Sequence, residues 1–188
     1  FKKIKPIKYY KFSNQNQPSV LRILSAGTVK QLGARRYCFE SSFEYIYGII
    51  ELVKKLKNLD FNFKLTIRIR EVKHELDMEV IKEIKNQFKD LIEISKNKSI
   101  ADDIKNSDCL IALSSTTLEE AINCKTPSMS YGFSNYNHFR FYDKNKYRIN
   151  SKLKNFNKLK KIEDLLGRNF VYLEDKFLIR EKSLFDYI

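Results

Sequence analysis

Short apolar runs the length of a strand alternate with longer segments whose apolar residues recur every three or four positions, and nothing else in the sequence constrains the fold as tightly. "SVLRILSAGT" is a buried-strand run reaching a turn at Gly27. "ESSFEYIYGIIELVKKL" then places Phe43, Ile46, Tyr47, Ile50, Val53 and Leu56 on one predicted helix face. The unit recurs. "FKLTIRIRE" alternates, with Leu65, Ile67 and Ile69 on one side and Thr66, Arg68 and Arg70 on the other. "MEVIKEIKNQF" is a helix, "LIEIS" a third strand, and "SIADDIKNS" a brief helix with Ser99 as N-cap and Asp102 at the capping-box position. "DCLIALS" is a fourth strand, "TTLEEAINC" a helix, and "PSMSYG" a fifth strand introduced by Pro127. Strands alternating with helices through short connections predict a parallel sheet with right-handed crossovers and helices on both faces, an α/β Rossmann-like domain.

The flanks are less regular. Residues 1–19 are basic and aromatic with Pro6 and Pro18, and read as a linker or edge segment before a domain spanning 20–188. After Gly132, "FSNYNHFRFYDKNKYRIN" reads as an irregular loop, "NKLKKIEDLLG" as a helix closed by Gly167, "NFVYLED" as a late extended piece and "EKSLFDYI" as a tail. The chain opens on Phe1 rather than Met, so it is expected to belong to a longer protein.

With 188 residues, 43% of them apolar, the chain can fill a core of its own. Cys38, Cys109 and Cys124 have neither metal-ligand spacing nor the even number of a disulfide framework, which points to a reducing, cytoplasmic setting. No apolar run approaches the roughly 20 residues of a membrane span, so any membrane contact is expected to be peripheral, at the inner face. The net charge of +13 is spread over lysine-rich segments rather than gathered in a nucleic-acid motif. It reads first as a solvated basic surface, then as attraction to anionic membrane or an acidic substrate. Nucleic acid is disfavoured as a partner.

In an open parallel sheet, ligands gather at the carboxyl ends of the strands. "SSTT", Ser114 to Thr117, occupies such a position, and two readings share it. The hydroxyls can cap a helix, with Ser115 or Thr116 as N-cap and Glu119 as capping-box partner. They can equally help the helix N-terminus hold a phosphate. Gly27, Thr28, Lys30, Gly33, Arg35 and Arg36 follow the first strand at the same edge. An arginine fork there suits paired phosphate oxygens, whereas the plain reading is a solvated loop. Arg70 and, more weakly, Arg68 stand at the end of the second strand, where the alternative is a polar sheet face or pairing with Glu71. His138 lies in a loop able to reach the cleft. His74 sits in a charged segment, and Asp102 and Asp103 lack a third ligand for a metal, so a helix cap suffices to explain them.

"NSDCLIALSSTTLEEAINCKTPSMSYG" resembles the donor-binding segment of the C-terminal domain of GT-B glycosyltransferases and of the related non-hydrolysing UDP-N-acetylglucosamine epimerase. Its Ser/Thr turns are closer to those of capsule- and teichoic-acid-type transferases. The match runs without gaps from Ser114 through Glu119, Glu120 and Ala121 to Pro127. The usual glycines are replaced by Ser115 and Thr116, and Lys125–Thr126 stands where Gly-Lys or Gly-X is common, so a left-handed turn has to be made without glycine.

The resemblance implies half of a GT-B fold, with the N-terminal acceptor domain missing. It implies a nucleotide-sugar donor, its pyrophosphate facing Ser114, Ser115, Thr116 and Thr117 and its ribose bonded to Glu120 or Glu119. The loop carrying Gly27, Thr28, Arg35 and Arg36, with Arg70, would approach the diphosphate. No cofactor and no obligatory metal are implied, the catalytic base would come from the N-terminal domain, and sugar transfer in surface polysaccharide or glycoconjugate synthesis would be the role. CDP-linked polyol-phosphate transfer, UDP-sugar epimerisation and a non-catalytic basic module binding membrane or polymer are the alternatives.

Overall fold

A computed structural model of the chain describes residues 20–27, 42–69, 75–96, 99–113, 115–132, 149, 151, 153 and 155–172. The linker assigned to 1–19, the loop assigned to 133–150 apart from residue 149, and the tail lie outside these residues. The strands are β1 (Val20–Gly27), β2 (Asn62–Ile69), β3 (Ile92–Ile94), β4 (Cys109–Ala112) and β5 (Ser128–Ser130). The helices are α1 (Ser42–Leu56), α2 (Glu75–Phe88), α3 (Ile100–Lys105), α4 (Thr117–Asn123) and α5 (Phe156–Leu166), with one 3-10 turn at Lys89–Leu91.

The strands form one sheet in the order β3-β2-β1-β4-β5, and every adjacent pair is parallel. The fold is therefore α/β and Rossmann-like, as the alternating pattern requires. Period-two alternation sends Leu21, Ile23, Leu65, Ile67, Cys109, Ile111 and Met129 to one face, where they pack with α1, α2 and α5. Leu24, Leu110 and Ala112 point to the other, beneath Ile104 of α3, Leu118 and Ala121 of α4, and Cys124 at the end of α4. Helices thus cover both faces. A constant hand of crossover explains the split: the chain winds one way along the sheet from β1 to β3, then returns past β1 to β4 and β5.

On α1 the buried stripe is Tyr45, Ile46, Ile49, Leu52, Val53 and Leu56, while Tyr47 is 56% exposed. Among the described side chains the predicted face is corrected at Tyr47: Ile46, Val53 and Leu56 are buried as the spacing requires, and Ile50 packs partly buried against the core. Tyr45 takes the inward place instead, and its neighbour on β1 explains why, as described below. α2 begins at Glu75, three residues before the predicted segment. Ser99 caps α3 as expected, accepting a hydrogen bond from the Ala101 N–H at 3.1 Å. The reciprocal arm of a capping box is absent among the described residues: Asp102 is exposed, and its side chain is one methylene shorter than the Glu that usually reaches back.

Two helix ends show how local sequence sets the boundaries. Gly167, at φ 64°, ends α5 in the left-handed conformation. At the end of α4 the Thr126 N–H bonds the Ala121 carbonyl at 2.8 Å and the Lys125 N–H bonds that of Ile122 at 2.9 Å. This is a Schellman closure with Lys125 at φ 60°, a left-handed turn made without glycine. The late extended piece contributes a single antiparallel bridge, Val171 to Ser128. At the amino end of β4, Asp108 accepts from the Arg22 N–H of β1 at 2.8 Å and from Asn155 Nδ2, just before α5, at 2.9 Å. Lys55 Nζ donates to the Tyr131 phenol oxygen at 2.8 Å while 5.3 Å from the ring centroid, so it meets the ring end-on as a hydrogen-bond donor rather than over its face.

Candidate functional site at the carboxyl edge of the sheet

Strand order reverses between β1 and β4, and there the chain leaves the sheet toward opposite faces. β1 pairs with β4 through Ile23–Cys109 and Leu24–Leu110; extending that register sets Gly27 level with Leu113. The two carboxyl ends therefore lie side by side, with α1 on one face and α4 on the other, at the switch point where open α/β sheets place ligands. Of the residues predicted for the site, Gly27 lies on one side, with Ser115, Thr116, Thr117, Glu119 and Glu120 on the other. Thr28, Arg35, Arg36, Arg70, Ser114 and His138 lie outside the described residues.

Gly27 has a packing role. A Cβ built on it would overlap Cδ2, Cε2 and Cζ of Tyr45, and the ring of Tyr45 is 3% exposed. The missing side chain lets the first turns of α1 close down on the end of β1, and this contact draws Tyr45 rather than Tyr47 into the core. Below it, the Tyr45 hydroxyl and the buried Ser25 hydroxyl share a hydrogen bond at 3.3 Å. Neither Ser25 nor Tyr45 stands out in the sequence, because the signal is a pairing across 20 positions.

On the other side the turn into α4 is built from its own side chains. Ser115 Oγ accepts from the Thr117 N–H at 3.3 Å and from the Thr117 hydroxyl at 2.7 Å. The Ser115 carbonyl takes the Leu118 N–H at 3.0 Å, and that of Thr116 takes the N–H groups of Glu119 and Glu120 at 3.1 and 3.3 Å. The first turn of α4 thus spends most of its donors internally, and the capping hydroxyl is that of Ser115, not Thr116. Among the described residues the Ser115 and Thr116 N–H groups have no acceptor, and Glu119 makes no capping-box bond. Glu119 points to solvent, whereas Glu120 is half-buried. Burial, and secondarily the Glu120 charge, raise the pKa of the neighbouring Cys124 thiol.

The turn is held from behind by β5. Ser130 Oγ donates to the Leu113 carbonyl at 2.8 Å, and the Tyr131 N–H to that of Ala112 at 2.9 Å. A Cβ on Gly132 would come within 2.7 Å of Leu113 Cβ, so this glycine too allows a close approach. The polar alternation of "SMS" (Ser128, Met129, Ser130) is the sequence trace of this support.

Arg68 is committed elsewhere. Its guanidinium pairs with Asp103, whose side chain is 1% exposed and also accepts from Ser95 Oγ at 2.7 and 2.8 Å. The expected alternative partner, Glu71, lies outside the described residues, and Asp103 takes that role. No group of three or more His, Cys, Asp or Glu able to hold a metal occurs among the described residues. Within the same residues, no helix is long and apolar enough to cross a membrane.

The fold is a doubly wound α/β domain whose topological switch point lies between β1 and β4. Compared with protein-family models, with curated proteins and with solved structures, the chain matches none.

Proposed function

We propose that this chain is the donor-binding domain of a GT-B glycosyltransferase, holding a nucleotide-sugar in the crevice between β1 and β4. One observation carries the reading: the order β3-β2-β1-β4-β5 reverses where Gly27 and the Ser115–Glu120 turn meet, the position at which open α/β sheets bind nucleotides. The nature of the ligand rests on the likeness of the Ser114–Pro127 segment to the donor segment of that family. In this reading the Ser115 and Thr116 N–H groups, with Ser114, Thr117 and Thr28, take phosphate oxygens. Glu120 accepts the ribose hydroxyls, and its half-buried carboxylate makes no hydrogen bond or ion pair among the described residues, which favours it over the solvent-facing Glu119.

Transfer of the sugar leaves negative charge on the departing diphosphate. Fixed N–H donors together with Arg35, Arg36 and Arg70 would stabilise it where it develops, which is electrostatic catalysis without an obligatory metal. The base that activates the acceptor belongs to a separate N-terminal domain, so this chain alone binds donor and turns over little. His138 would approach from the loop after β5. The domain would work at the inner face of a membrane in polysaccharide or glycoconjugate synthesis.

Titration calorimetry with UDP, GDP, CDP and CMP tests this. Micromolar binding of one nucleotide is expected, weakened about tenfold or more in Glu120→Ala by loss of hydrogen bonds to a charged acceptor, and retained in Glu119→Ala. Selective binding of a cytidine nucleotide moves the assignment to CDP-linked polyol-phosphate transfer. If none of the four binds, the donor site is refuted.

A further inference from the structure

Parallel sheets are ordinarily covered on both faces, yet the second face of this one is covered only in part. The apolar cluster beneath α3 and α4 draws on β1 and β4 and includes no residue of β2 or β3. On that face β2 and β3 carry Lys64, Thr66, Arg68 and Glu93, and α3, six residues long, stands at one side. A polar groove of about 630 Å³ results, running beside α3 toward the amino ends of the strands, away from the nucleotide crevice.

The charges of the groove do not balance. Its carboxylates are largely consumed: Glu93 by Lys64 and Thr66, Asp103 by Arg68 and Ser95. That leaves Arg22, Lys85, Lys89 and Lys96, all exposed and without a side-chain hydrogen bond or ion pair among the described residues, Arg22 acting on Glu93 only through its charge, against the single carboxylate of Asp90. These four cations belong to the start of β1, the end of α2, the 3-10 turn and the residue-96 end of β3, so they are strung along the groove. A point anion would meet one of them; an extended chain of anions would meet several and release their counterions.

We propose that this groove docks an extended, base-free polyanion, a phosphate-bearing polymer chain, independently of the nucleotide crevice. A flat bilayer would touch only the rim of a concavity. Single-stranded nucleic acid calls for aromatic platforms, and Tyr47, the only large apolar side chain exposed among the described residues, stands on α1 at the opposite face.

The test is fluorescence anisotropy with labelled long-chain inorganic polyphosphate across a salt series. It compares the unaltered chain with Lys85→Gln/Lys89→Gln/Lys96→Gln and with Lys54→Gln/Lys160→Gln/Lys161→Gln, which removes the same charge from α1 and α5. Losing three phosphate contacts is expected to lower the slope of log K against log salt by about 2, and hence affinity by about 100-fold at 0.1 M salt, in the groove variant alone. Equal weakening in both variants overturns the proposal, because binding is then diffuse. So does no binding by the unaltered chain, or tighter binding of a single-stranded RNA or of anionic vesicles matched for phosphate.

Discussion

Replacing Gly27 by alanine separates a packing role for this residue from a role in ligand approach. The new methyl group would lie closer than 3.0 Å to three atoms of the Tyr45 ring, a separation that nonbonded carbons do not sustain. The ring is 3% exposed and its hydroxyl is held by Ser25, so it has no open direction in which to yield. Overpacking of this kind costs about 1–3 kcal/mol, and the upper half of that range applies here because the clash is with a rigid ring. Tyr45→Ala alone should cost about 3–5 kcal/mol, the usual penalty for emptying an aromatic site. In the Tyr45→Ala background, Gly27→Ala should cost less than about 0.5 kcal/mol, leaving a coupling of about 2 kcal/mol. Urea unfolding followed by circular dichroism, with m-values compared among the four proteins, measures the cycle. If Gly27→Ala costs the same whether or not the ring is present, Tyr45 is not the reason for this glycine.

Two further outcomes follow from the described geometry. Lys125→Gly relieves a left-handed residue at a cost of about 1–2 kcal/mol for an ordinary side chain, offset by about 0.5–1 kcal/mol of glycine backbone entropy, so a net gain of about 0.5–1 kcal/mol is expected as a raised Tm; a lowered Tm contradicts it. For Glu93, partial burial pushes the carboxyl pKa up, but the hydrogen bond from Thr66, then Lys64 and Arg22, outweigh it and leave the pKa below the usual value of 4.5. Its ionised form therefore stabilises the fold above that value, and the contribution fades as pH falls through the lowered folded-state pKa. The stability gap between the unaltered protein and Glu93→Gln should be present at pH 7 and close at the acid end of a urea-melt series; a gap that widens toward acid refutes the assignment.

The strand and helix order was legible because burial on both sides of a parallel sheet leaves continuous or alternating apolar runs, as in "LRIL", "LTIRI" and "CLIA". Gly167 as a helix end and Ser99 as an N-cap were legible for a related reason: each acts on backbone within a few positions of itself. The left-handed turn at Lys125 could be anticipated from the absent glycine, though its Schellman bonds required the structure. Other features depend on residues far apart in the chain. On α1 the spacing places Ile46, Val53 and Leu56 inward correctly, but it leaves Tyr45 and Tyr47 as rivals for one edge of the stripe, and the notch at Gly27 on β1 decides that Tyr45 turns inward and Tyr47 outward.

The candidate site divides in the same way. The sequence by itself determined the residue types at the carboxyl edge of the fourth strand, the hydroxyl turn and the two glutamates. Capping by a hydroxyl of that turn was legible too, Ser115 and Thr116 being the candidates, since the Ser115 bonds to Thr117 span two positions. Only the tertiary structure decided that Glu120 rather than Glu119 is half-buried, that Ser130 holds the turn from behind, and that Arg68 is spent on Asp103. Local bonds are written in neighbouring residues, whereas a pairing across 15 to 35 positions exists only once the strands have been brought side by side.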